Sequence, residues 1–155
     1  MAALDWFEGI ERLQKSINEL RGQVESAYAA AGPHGQQMGS IGGGGGKRDA
    51  LAGVDSVIDS GAAARLDQAQ AELIELLDQA TDVLYGRSGS GGVAKAVGHD
   101  EADILCFHYL QGEAWSSIAK RYDPDTTNLT MWCKYRAHWT CRQIDRLGMD
   151  ALADS

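Results

Sequence analysis

The run GSIGGGGGKRD, residues 39–49, puts a lysine behind a block of glycines, the composition of a loop whose backbone N–H groups could wrap phosphate. A nucleotide-binding P-loop reads G-x-x-x-x-G-K-[ST], with the lysine reaching the phosphates and the hydroxyl holding magnesium. Taking Gly46-Lys47 as the G-K pair puts Ile41 where the first glycine belongs and Arg48 where the hydroxyl belongs. The segment also follows a helical pattern ending in Gly32-Pro33, not a strand, so a flexible connection between helices is the better reading. What survives is Lys47-Arg48, a basic pair at the start of a helix whose dipole is already positive there.

Cys106, His108, Cys133, His138 and Cys141 are zinc-ligand types. On one helix, however, Cys133, His138 and Cys141 point to different sides, so small core thiols are expected and no metal or other cofactor is implied. No Ser-His-Asp or Cys-His arrangement stands in a catalytic context, and the acidic residues spread along solvent faces, so the chain is not expected to be an enzyme.

The remaining candidate chemistry belongs to a basic helix near the end of the chain that could contact DNA. Residues 126–147 hold Lys134, Arg136, Arg142 and Arg146 against Asp145 alone. At about 100° per residue, Leu129, Ala137, Thr140, Ile144 and Leu147 fall near Cys133 and make a buried stripe. The opposite side collects Thr127, Asn128, Met131, Lys134, Tyr135, His138, Arg142 and Arg146. Groups able to read base edges come first along it, and arginines able to hold phosphate follow. Arg121, on the preceding helix, is a further phosphate candidate. An ordinary solvated helix face is the competing reading. Trp132 and Trp139 flank the stripe, and packing on the rest of the chain is expected for them.

These side chains need helices to hold them. From Leu4 to Ala31 apolar residues recur in steps of three and four, a coiled-coil-like seam that Gly32-Pro33 should stop. A second seam runs from Leu51 to Val83, with Asp49 as its cap, and closes near Tyr85-Gly86. Together they predict an antiparallel helical hairpin over residues 1–86 with a Gly-rich loop at 32–48. The stretch GRSGSGGVAKAVG predicts a linker at 87–98. Asp100 and Asp103 form a capping pair for a helix ended by Gly112, a short helix runs from Trp115 to Tyr122, and a last helix runs from about Thr126 to Leu147. The fold class is all-α: a long N-terminal hairpin, a three-helix domain at 99–148, and a tail at 149–155.

At 155 residues the chain can bury a core, and its three cysteines lack the C-x-x-C spacing of a disulfide or zinc framework. No apolar run is long enough for a membrane span and the first residues do not have a signal-peptide layout, so a cytoplasmic protein without membrane contact is expected. The Asn128-Leu129-Thr130 glycosylation triplet is disregarded on the same ground. A formal net charge of -8 excludes non-specific coating of nucleic acid but leaves room for a local basic face.

The segment from Ala102 to Gly148, with Tyr109-Leu110-x-Gly112, Trp115-x-x-Ile118-Ala119 and Arg136-Ala137, resembles region 4 of sigma-70-type factors, and especially the small phage-encoded sigma-like regulators. It departs from them at Ala114, where a capping hydroxyl is usual, and in a slightly longer turn containing Pro124. The resemblance implies a helix-turn-helix transcription regulator of phage or prophage origin. Its last helix would read double-stranded DNA, and its hairpin would meet RNA polymerase or a second copy of the chain in a homodimer. Two alternatives stay open: a helical protein-interaction module on a helix-turn-helix scaffold, and a phage DNA-packaging subunit.

Overall fold

The computed structural model describes residues 1–39, 61–125 and 129–155. Helix α1 spans Ala3–Gly39, α2 Ala62–Tyr85, α3 Gly92–Ala96 and α4 His99–Leu105, which runs on into a π-helical turn, Cys106–Leu110. Helices α5 (Trp115–Tyr122), α6 (Leu129–Leu147) and α7 (Met149–Asp154) follow, with no strand among the described residues. The protein is all-α. No helix among the described residues is long and apolar enough to cross a membrane.

The chain divides into two compact units, one of Met1–Arg12 with Leu73–Ser155, the other of Leu13–Glu72. In the second unit, Ile17 is buried and Leu13, Leu20, Val24, Leu66 and Ala69 are half-buried, while Glu19, Arg21, Glu25 and Arg65 are exposed. The threes-and-fours seam is therefore the sheltered side of each helix. The connection that would close an antiparallel hairpin, including the glycine run, Lys47-Arg48, Asp49 and the seam from Leu51 to Ile58, lies outside the described residues.

One boundary differs from the sequence reading. Helix α1 continues through Gly32-Pro33 to Gly39, so the stretch 32–39 is helical where a loop was expected. Proline removes one N–H from the ladder and weakens the turn before it. The flanking Ala29-Ala30-Ala31 and Gln36-Gln37-Met38 are strong helix formers that carry the helix across.

The first unit holds the main core. Phe7 and Ile10 from α1, Leu84 from α2, Ile104 and Leu105 from α4, Ile118 from α5 and Ile144 from α6 are all essentially inaccessible to solvent. Each such side chain contributes about 1.5–3 kcal/mol of burial free energy. Phe7 meets the Tyr109 ring at 5.6 Å, and the α1 backbone is tied to α6 where the Ala3 N–H donates to Asp145 Oδ1 at 2.7 Å.

The expected linker at 87–98 and the expected tail at 149–155 are both parts of this unit. Helix α2 ends as anticipated, with Gly86 in the left-handed region at φ 77° and its N–H on the Asp82 carbonyl at 2.7 Å. The chain then turns back on itself: Gly91 N–H donates to the Tyr85 carbonyl at 2.8 Å, and Val93 and Ala94 of α3 are buried. Helix α7 closes over this turn, burying Leu152 and Ala153. There Arg87 N–H meets the Ala153 carbonyl, Gly92 N–H meets Ser155 Oγ at 2.7 Å, and Arg87 Nη1 pairs with Asp154 at 2.7 Å. Glycine is required because a Cβ at Gly91 would strike Ser155 and one at Gly92 would lie 2.5 Å from the Val83 carbonyl.

The anticipated capping pair before α4 does not form either. Gly98 occupies the cap position without a side-chain bond. Asp103 instead accepts the Tyr85 hydroxyl at 2.6 Å, joining α4 to α2.

Candidate nucleic-acid interface

Helices α5 and α6 occupy the segments where a helix-turn-helix was expected, and they pack on each other and, through α6, on α4. On α5, Ile118 and Ala119 face inward while Ser116, Ser117 and Lys120 face solvent. Ala114 caps the helix with backbone only, in extended conformation, as expected for a residue without a hydroxyl. The turn opens with Asp123, whose Oδ1 accepts the Asp125 N–H at 3.0 Å, an Asx-turn that redirects the chain after α5.

Along α6 the inward side is Cys133, Ala137, Thr140, Cys141 and Ile144. Leu147, placed in that stripe by periodicity, is instead 40% exposed, because Gly148 ends the helix and turns the chain away into α7. Thr140 is fully buried and donates its hydroxyl to the Arg136 carbonyl at 2.7 Å, which satisfies the polar group within its own helix.

The outward side carries Met131, Lys134, Tyr135, Arg142 and Arg146, all exposed, with His138 half-buried among them. Met131 and Tyr135 are a turn apart, 73% and 61% exposed. No ion-pair partner meets Lys134, Arg142 or Arg146 among the described residues. Thr127 and Asn128, assigned to the same face, lie outside the described residues, as does the start of the helix expected at Thr126.

Arg121 is exposed but differently employed. Its guanidinium forms a two-pronged pair with the Glu113 carboxylate, Nε to Oε2 at 3.1 Å, with Nη2 on Oε1, and it lies over the Phe107 ring at 4.2 Å. The carboxylate hydrogen bond raises its already high pKa. A charge so matched is a weak phosphate ligand, because leaving Glu113 would cost both bonds. Arg136 is also spent inside the unit: Nε and Nη2 each lie 2.8 Å from Glu101 Oε1, and the guanidinium covers Trp139 at 4.1 Å. The segment's surplus positive charge is thus carried to solvent by Lys134, Arg142 and Arg146.

The tryptophans behave as packing groups to different degrees. Trp115 stacks on His108 at 3.7 Å, and Trp132 meets Tyr122 edge-on at 6.4 Å yet stays 41% exposed beside Met131. Sequence periodicity put Trp132 on the flank, but its exposure extends the outward face. An aromatic residue next to an outward methionine is the one signal that could have announced this. The pairing of Arg121 with Glu113 had no such signal.

The cysteine and histidine set does not converge, and no group of three His, Cys, Asp or Glu suited to a metal occurs among the described residues. Cys133 and Cys141 are buried thiols whose pKa is pushed up by burial, that of Cys141 to about 12. His108 places Nδ1 2.8 Å from the Glu113 carbonyl, so Nδ1 carries the donated proton, and its Nε2 lies 3.5 Å from Glu11. The π-helical turn aims this ring at Trp115, which makes it a brace between α1 and α5. No family model, curated protein or solved structure matches the chain.

Proposed function

We propose that the protein is a sequence-specific DNA-binding transcription regulator of the phage sigma-like kind, working in the cytoplasm, with α6 laid in the major groove of a promoter element. The N-terminal helices would meet a partner, RNA polymerase or a second copy of the chain. The observation that carries this reading is the outward face of α6. It presents Met131, Lys134 and Tyr135 near its start and Arg142 and Arg146 near its end, with no acidic partner for its cations among the described residues. A second helix presenting its first turns to base edges and its later turns to phosphate is the docking geometry of helix-turn-helix proteins.

The test is a selection from random duplex DNA at fixed salt, followed by binding isotherms of Lys134→Ala and Arg142→Ala over a salt series. Loss of a phosphate contact at Arg142 is expected to lower the salt slope by about one, and loss of Lys134 to weaken binding about tenfold or more. Unchanged affinity and slope in both variants would remove this face as the reader.

The contiguous exposed side chains Met131, Trp132 and Tyr135 favour a second reading, a helical module that binds protein on the same scaffold. Under that reading the selection returns no motif, and purified polymerase binds the wild type but not Tyr135→Ala.

A further inference from the structure

We infer that the exposed first turns of α6 select thymine through its 5-methyl group, an inference that rests on the DNA reading above and names what that face recognises. In helix-turn-helix docking the residues near the start of the second helix reach the base edges. The most exposed of these among the described residues are Met131 and Tyr135, at 73% and 61%. Spaced four apart, they stand one above the other on one side of the helix. Neither carries the forked donor pair that reads guanine or the paired donor and acceptor that reads adenine. A thioether and a phenol ring offer apolar surface, and the apolar group in the major groove is the thymine methyl.

Lys134, adjacent on the same surface, has donors only and suits the O6 and N7 acceptors of a guanine beside such a thymine. Arg142 and Arg146 lie two or more turns farther on, where the helix leaves the bases for the backbone. The charge of the whole chain argues in the same direction. With a net charge of -8, general attraction to phosphate is weak, so fitted contacts at the groove floor must supply a larger share of affinity. Methyl contacts are such a share and are insensitive to salt.

The experiment uses the wild-type chain and the duplex it selects from a random pool. Each thymine in turn is replaced by deoxyuridine, which keeps the base pair and removes only the methyl. At one or two positions affinity is expected to fall about four-fold, the worth of one buried methyl. Met131→Ala or Tyr135→Ala should bind the thymine and uracil forms of that position equally. If the wild type binds a selected duplex but is indifferent to uracil at every position, the thymine inference is overturned while the DNA reading stands. If no duplex is retained, both fall. If the uracil penalty persists in both variants, the methyl is read elsewhere and the assignment to these side chains is wrong.

Discussion

Arg136 and Lys134 sit two residues apart on α6 and do opposite things with the same charge. Arg136 spends its guanidinium on Glu101 of α4 and on the Trp139 ring, whereas Lys134 extends into solvent. Arg136→Ala is expected to destabilise the protein by about 1–2 kcal/mol, the low side of a charged hydrogen-bonded pair because Arg136 is partly exposed. Lys134→Ala should change stability by no more than about 0.5 kcal/mol. Urea denaturation of the two variants checks this, and equal midpoints would mean the Arg136 bridge contributes nothing. The positions of both residues on the helix were legible from periodicity alone, since each lies outside the Cys133 stripe. The employment of Arg136 was not, because its partner stands 35 residues earlier and no local spacing links them. The same holds for Arg121, whose partner Glu113 reads as a solvent-exposed loop acid until the π-helical turn brings it round.

Among the elements, the turn from Gly86 to Gly92 is where sequence and structure part most clearly. A segment rich in glycine and serine reads as a linker because nothing in it announces a partner. Its glycines are there to let the backbone of Val83 and of Ser155 come close, a reason that exists only in three dimensions. Gly92 has φ 65° and no room for a Cβ, while Gly89 has φ 84° and open space around it. Gly89→Ala is therefore expected to cost about 1 kcal/mol for the left-handed backbone alone. Gly92→Ala should cost at least about twice that, with loss of the α3–α7 packing visible as faster amide exchange at Val93 and Leu152. Similar costs for both would show that the close approach at Gly92 is relieved elsewhere. The long periodic helices, by contrast, were readable: α2 ends at Tyr85, α5 spans Trp115–Tyr122 and α6 ends at Leu147, as their glycines and turn residues indicate. The short α3 and α7 were not, since five- and six-residue helices are held by burial of Val93 and Leu152 and show no period of their own.

At the scale of the molecule, the first unit gathers Tyr85, Tyr109, Tyr122, Cys106, Cys133 and Cys141, and burial is the leading cause raising the pKa of every one. Tyr122 is pushed from 10.0 up to about 12, and Cys141 from 9.0 up to about 12. At neutral pH these groups are protonated whether the chain is folded or not, so they take nothing from stability there. Above about pH 9 the unfolded chain sheds protons that the folded one retains, and stability falls as pH rises toward 12. Urea midpoints at a series of pH values from 7 to 11 are expected to hold level and then decline above about 9. A level profile through pH 11 would contradict the burial of these groups. The net charge of -8 acts in the same direction at high pH, because each released proton adds to existing repulsion.

The hydrogen bond from Ala3 to Asp145 joins positions 142 residues apart, and Phe7 and Ile10 are buried in the same core. The unit they complete is interrupted by the whole of Leu13–Glu72. During synthesis at roughly 5–20 residues per second, the first turns of α1 leave the ribosome on the order of ten seconds before α6 exists to receive them. Through that interval Trp6, Phe7 and Ile10 lack part of the core they enter in the finished unit, which Tyr109 and Ile144 complete. The first unit therefore closes only after its last helices have been translated, although its first helix is the first part of the chain to be made.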